Sequence, residues 1–382
     1  MPSPALRISP PAARRFLRRA LLLDEPAADV AGALHHLGYV QIDPINVCGR
    51  MHDLILRNRV RDYREGDLMR HVHGDGTRPA PDARVGFEHH LPGVQQILVA
   101  FSLDAWPHLL AAMQARARDR GAWSGRLTPR ERELAPRILA ELGERGPLGS
   151  DDLHDGRRGR RVWGAATLAK TVLQKLFFHG RVLIAARDGV RRLYDLPERV
   201  LPATTLALPE PPAGDTARWL ALLKLRQRRL VTLKRTELPH VEDLVQPVMI
   251  ENCPPLYCLR DDLPLLESTM AELSTLNSRL STAAPAAAPP LLLAPLDPLI
   301  YDRRVTAALW DFDYTWEAYT PPHRRTRGHY ALPILSGLEL VGHVDPKADR
   351  LRRKLVVVSR SVRRGHRVAP AVRALARWLG LK

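Results

Sequence analysis

Apolar residues along the chain fall first at helical and then at strand-like spacing, and this plan recurs three times. In the first stretch Ala13, Phe16, Leu17, Ala20 and Leu21 sit at i, i+3, i+4, i+7 and i+8, which predicts an amphipathic helix. A second helix is expected over 27–37, broken at Gly38, then a strand at YVQID (39–43). A further helix is marked by Met51, Leu54, Ile55 and Asn58. The second stretch predicts a helix over 130–143 ended by Gly143, a short helix at 151–153 capped by Ser150, and a helix over 164–179 that stops before Gly180. The core face of that last helix is Leu168, Val172 and Leu176. Its polar face is Thr167, Lys170, Thr171 and Gln174. Two apolar runs then flank Asp188-Gly189, a strong hairpin signal. Helix, helix, recognition helix and hairpin together make the winged-helix plan.

The third stretch predicts a basic helix over 216–230, another over 238–246 ended by Pro247, and a strand at 256–260. Beyond a Pro- and Ala-rich linker at 284–290 the character changes. TWEAYT, GHYALPIL, ELVGHVD and KLVVVS read as short strands, and a closing helix carries Val372, Leu375, Ala376 and Leu379 on one face. The expected fold class is α+β: tandem winged-helix (helix-turn-helix) domains with a C-terminal β-rich module. The segments are 1–125 (first unit), 126–207 (second), 208–290 (third unit and linker) and 291–382 (β-rich module with a basic hairpin).

Charge adds a partner to this picture. The 382 residues carry a formal net charge of +17, with 51 Arg and 7 Lys. GC-rich coding inflates Arg but does not explain so large an excess of base over acid. The balance calls for an anionic partner, and the repeated helix-turn-helix pattern favours nucleic acid. Cys48, Cys253 and Cys258 are three cysteines with no repeated CxxC pair, which suggests a reducing compartment and no disulfide framework. No apolar run reaches the roughly 18 residues of a membrane span, and the N-terminus has no signal-peptide pattern. A cytoplasmic monomer is expected.

The most telling chemistry is Gln41-Ile42-Asp43. On an extended strand Gln41 and Asp43 share a face, and Pro44 keeps Asp43 out of helical dihedrals. Two readings stand. Asp43 caps the next turn at a polar strand end, or the amide and carboxylate hold and polarise a water. Hydrolysis at a sugar C1′ passes through an oxocarbenium-like state that a nearby carboxylate stabilises. A purine alkylated at a ring nitrogen is already cationic and leaves without protonation, so one carboxylate suffices.

Basic positions supply candidate DNA contacts. GRRGRR (156–161) precedes the second recognition helix; it is either a solvated loop or, lying where the strand before such a helix meets the DNA backbone, a phosphate contact that offers Arg157, Arg158, Arg160 and Arg161, alongside Thr167, Lys170 and Gln174. DPLIYDRR (297–304) offers Arg303 and Arg304. HRRTRGHY (323–330) reads as a basic hairpin tip presenting Arg324, Arg325 and Arg327 to a groove. Asp297 and Asp302 lack further converging ligands, so no metal or other cofactor is expected. His89 and His90 read as packed core histidines. A non-catalytic winged-helix regulator, a nuclease and an RNA-binding protein are the rival classes. The nuclease wants a metal-carboxylate cluster, and the RNA binder wants stacking aromatics, which are 5% here.

With these residues assembled, LGYVQIDPINVCGRMHDLILRNRV resembles the signature of the winged-helix DNA glycosylases that unhook interstrand crosslinks. It is closer to the AlkX/YcaQ-like branch, with Gln-apolar-Asp, than to the AlkZ branch, which ends in Gln. PLDPLIYDRR, HRRTRGHYALPIL and GHVDPKADR resemble that family's C-terminal blocks in order. The resemblance implies three tandem winged-helix units with a β-rich module around a DNA-binding concavity. It implies a monofunctional glycosylase acting on duplex DNA with alkylated or crosslinked purines. Gln41 and Asp43 carry over as the catalytic pair.

Overall fold

The computed structural model describes residues 4–93, 97–153, 157–162, 165–278 and 289–382. It divides into two compact units. One comprises Met1–Gly38, Asp43–Glu65 and Ala217–Lys382; the other comprises Tyr39–Ile42 and Gly66–Thr216.

In the first unit the helix Pro10–Ala20 starts where Ser9 Oγ accepts from Ala12 N, and it buries Ala13, Phe16, Leu17 and Ala20. The helix Val30–Leu37 ends at Gly38, whose φ of +79° closes the turn. A Cβ at Gly38 would lie 2.7 Å from Leu223, so the approach as well as the dihedral requires glycine. The strand Leu6–Ile8 pairs in parallel with Val245–Ile250, which pairs antiparallel with Leu256–Leu259. The expected helix over 238–246 is thus a short 3-10 turn, Leu238–His240, and then a strand. Pro247 does not prevent this. The ladder to Leu6–Ile8 begins only at Val248, so that edge loses no N–H bond to the proline.

A four-stranded antiparallel sheet completes this unit, in the order Leu291–Leu292, Leu332–Ser336, Glu339–Asp349, Lys354–Val362. Met51, Leu54 and Ile55 of the helix Met51–Leu56 pack into one core with Leu292, Leu332, Ile334, Val344 and, from the helix Ala369–Trp378, Leu375. Arg59 crosses this region fully buried, donating to Asp297 at 2.9 and 2.7 Å. Asp302 caps the helix Arg303–Trp310, accepting from Arg304 N and Val305 N. Both aspartates therefore have structural partners.

In the second unit Val40–Ile42 pairs antiparallel with Leu98–Ser102, which pairs with Gly86–His90. The helix Pro129–Arg145 opens with a full capping box, Thr128 and Glu131 bonding each other's backbone. It runs through Gly143 and ends at Gly146. Residues 151–153 are a turn rather than a helix, with Gly149 N donating to Asp152 at 2.8 Å. The helix Leu168–Phe178 and the hairpin Leu183–Asp188/Arg191–Asp195 follow, with Gly189 at φ +59° in the tight turn as expected. Glu88 is buried between His73 (2.6 Å) and the guanidinium of Arg187. Burial opposes its charge, but these partners hold its carboxyl well below the usual range.

Candidate active site

Pro44 ends the strand Val40–Ile42, and Asp43 lies just outside the ladder. Its Oδ1 accepts from Ile45 N at 2.9 Å, a local turn of the type aspartate favours. The side chain is half-buried. Among the described residues no Lys, Arg or His forms an ion pair with it. Burial pushes its carboxyl above the ordinary range, and the Ile45 N–H pulls it partly back.

The chain after Asp43 is firmly held. Asn46 Oδ1 accepts from Gly49 N at 3.1 Å, and Ala348 N donates to Val47 O at 2.9 Å. Ile45 and Val47 pack on the core that contains Tyr330 and Trp316. Tyr330 is fully buried, with its N–H on Asp345 Oδ1 at 3.0 Å, and its Oη has no partner among the described residues. Trp316 meets the Tyr330 ring edge-on at 6.0 Å and the Tyr319 ring at 5.5 Å. Burial raises the phenol of Tyr330, and the nearby Asp43 carboxylate adds to it; burial and then Asp43 raise that of Tyr319. TWEAYT has the composition of a strand, which hides Trp316 and Tyr319 as neighbours of the site. It is a loop, tied by Tyr314 Oη to Ala331 O at 2.6 Å and by Glu317 to residues 326–328.

Gln41 belongs to the second unit, where it pairs with Val99 in the ladder. Its side chain is buried, and its Oε1 has no partner among the described residues. His89, opposite Val99 on the next strand, is buried against Phe177, with Nε2 2.9 Å from Phe177 O. Burial lowers its pKa to about 4, with the Phe177 carbonyl opposing. His90 stacks on Phe178 at 4.2 Å. Both are core histidines, as the sequence suggested.

The expected recognition face of 164–179 is largely occupied. Thr167 Oγ1 accepts from Lys170 N as the helix cap, Thr171 is buried with its hydroxyl on Thr167 O, and Gln174 donates to Trp123 O at 3.1 Å. Lys170 remains exposed. Lys175, which the pattern did not single out, is buried on Glu131 at 2.8 Å. It borders a recess of about 440 Å³ lined also by Arg120, Arg126 and Arg132. The backbone of Arg158–Val162 is a strand paired with Ala165–Thr167, just ahead of the helix Leu168–Phe178. The side chains of Arg158, Arg160 and Arg161 lie outside the described residues. Arg157 is exposed, 3.7 Å from Glu133.

The basic hairpin is displaced from its expected position. Pro322–Arg324 is a 3-10 turn, and the residues up to Ala331 form no strand. Arg324 is exposed there. Arg325 Nε donates to Thr320 O at 2.8 Å, and Arg327 reaches Asp313 at 3.1 Å. The hairpin is instead Glu339–Asp349/Lys354–Val362, with Arg350, Leu351, Arg352 and Arg353 at its exposed tip. Arg303 and Arg304 are exposed in the first turn of their helix.

With this geometry in place, the family model described as DNA glycosylase AlkZ-like matches residues 34–379. The chain belongs to the AlkZ-like DNA glycosylase family. It is similar in fold to the Streptomyces sahachiroi DNA glycosylase AlkZ, with a TM-score of 0.59 and 16% identity over 98% of each chain. An AlkZ-like chain is a DNA glycosylase, a repair enzyme, which removes the non-catalytic regulator and the nuclease from consideration. Among the described residues of this AlkZ-like protein no helix is long and apolar enough to cross a membrane.

Proposed function

We propose that this glycosylase hydrolyses the N-glycosidic bond of N-alkylated purines in duplex DNA, crosslinked purines included, and leaves an abasic site. The observation that carries the reading is the state of Asp43: a half-buried carboxylate, unpaired by any described cation, in the Gln-apolar-Asp motif. A paired carboxylate would have its charge already spent on its partner. An unpaired one is available to a cation that develops during reaction.

The chemistry balances with one carboxylate. An N7-alkylated guanine carries a positive charge, so the C1′–N9 electron pair returns to the ring and the base leaves neutral. Asp43 stabilises the oxocarbenium that remains. Water adds its oxygen to C1′ and gives its proton to Asp43, whose raised pKa suits it as acceptor. Gln41 orients that water through its amide.

The grip on DNA is assigned to exposed cations: Lys170, Arg303, Arg304, Arg324 and the hairpin tip Arg350–Lys354. Leu351 at that tip is 99% exposed, an apolar side chain among arginines that suits insertion between groove walls. A crosslinked base cannot swing freely out of the helix, so an open cleft fits this substrate better than a closed pocket.

The test is incubation of the full chain with duplexes bearing N7-methylguanine or a nitrogen-mustard crosslink, followed by alkali. Strand cleavage at the modified purine is expected. Intact strands with every alkylated duplex would contradict the proposal.

A further inference from the structure

Tyr319 stands out among the aromatics near Asp43 because it is 61% exposed while its neighbours are not. Tyr330 lies in the core, Trp316 is half-buried above it, and Tyr319 packs edge-on against Trp316 at 5.5 Å with an interplanar angle of 74°. The three rings lead from the core on which Ile45 packs out to solvent. Two polar atoms of this ladder, Trp316 Nε1 and Tyr330 Oη, are buried without a partner among the described residues. Buried donors are seldom left so in a purely structural cluster.

The loop that carries Tyr319 is fixed on both sides. Glu317 accepts from the N–H groups of Thr326, Arg327 and Gly328 at 2.9, 2.8 and 3.2 Å and from the Thr326 hydroxyl at 2.7 Å. Burial opposes the Glu317 charge, but these donors hold its pKa at about 2. Thr320 N donates to Glu317 O at 3.0 Å, and Thr320 O accepts from Arg325 at 2.8 Å. An exposed ring held this rigidly loses little entropy when a flat partner stacks on it. The partner's chemistry follows from the surroundings. An aromatic face attracts a cationic ring, and an unpaired carboxylate in electrostatic reach strengthens that preference.

We infer that Tyr319, braced by Trp316, is a specificity-determining residue whose ring stacks on the cationic N-alkylated purine held at Asp43. The inference rests on the glycosylase reading of Asp43 and adds how a charged, damaged base is told from a neutral one.

Binding in an Asp43→Asn background tests it without turnover. The probes are a duplex with a single N7-methylguanine and the same duplex undamaged. Loss of base–aromatic stacking in Tyr319→Leu should cut the preference for the methylated duplex about tenfold. Tyr319→Phe should keep it, and affinity for undamaged duplex should stay unchanged in both. An equal preference in Tyr319→Leu and its parent overturns the inference. So does an equal loss of affinity for both duplexes, which would make Tyr319 a backbone contact or a fold determinant. Alkali cleavage by the native chain is scored separately. Excision without a Tyr319-dependent preference sinks this inference alone, and the preference without excision sinks the assignment of the reaction.

Discussion

Ile45 donates its backbone N–H to Asp43 Oδ1 at 2.9 Å, so the turn after the strand grips one carboxylate oxygen. Both sequence readings of Asp43 are therefore compatible: the residue shapes the turn and keeps an unpaired charge. Its raised pKa has two consequences. In the proposed mechanism excision uses the ionised carboxylate, so the rate should fall on the acid side with a midpoint above the ordinary aspartate value of about 3.9. A pH profile of single-turnover excision measures this.

The same shift acts on stability with a definite sign. A carboxyl whose pKa is higher folded than unfolded favours the folded state below the unfolded value and loses that contribution as pH rises through the folded value. Asp43→Asn should therefore unfold at a slightly higher temperature than the native chain at pH 7, and the gain should vanish near pH 3. Thermal melts of both chains across that range check it.

Gln41→Ala should slow excision less than Asp43→Ala. In the proposed mechanism the amide orients water but carries no charge to set against the oxocarbenium, whereas removal of a positioned acid–base group costs on the order of 10²–10⁴ in rate. Single-turnover rates of the two variants decide the order.

Arg59 and Asp297 are both fully buried and joined by two bonds. Removing one partner strands the other charge in the core, so Asp297→Ala should destabilise the fold by about 3–5 kcal/mol. Urea unfolding reads this directly, and pairing Asp297→Leu with Arg59→Met should recover much of the loss.

The exposed hairpin tip predicts a salt signature. Arg352→Ala with Arg353→Ala should weaken duplex binding and lower the slope of log affinity against log salt by roughly one per lost phosphate contact. Arg324→Ala should act likewise. Arg325→Ala should act less, because Arg325 is engaged by Thr320. Titrations at several salt concentrations separate these arms.

Much of this was legible in the sequence where local signals dominate. Asp188-Gly189 gave its hairpin, and the 3.6-residue period gave the helices Pro10–Ala20, Val30–Leu37, Met51–Leu56 and Leu168–Phe178; Gln41-Ile42-Asp43 supplied the candidate pair on which the proposal rests. The failures share a cause. Residues 315–320 have the composition of a strand, but Glu317 spends its carboxylate on the backbone of 326–328 and holds the segment as a loop. Residues 238–246 have a helical pattern, but Val245 and Gln246 pair with Leu259 and Cys258 and open a strand that runs on to meet Leu6–Ile8 at Val248–Ile250. Gln174 has the right phase for a solvent face, yet Trp123 O covers it. Partners outside the segment's own repeat decided each case, and periodicity carries no trace of them.

The most direct test is Asp43→Asn on a duplex with one N7-methylguanine, measuring excision and binding on the same preparation. Excision lost with affinity retained is the predicted result. Excision retained, or affinity lost in step with it, would contradict the role given to Asp43.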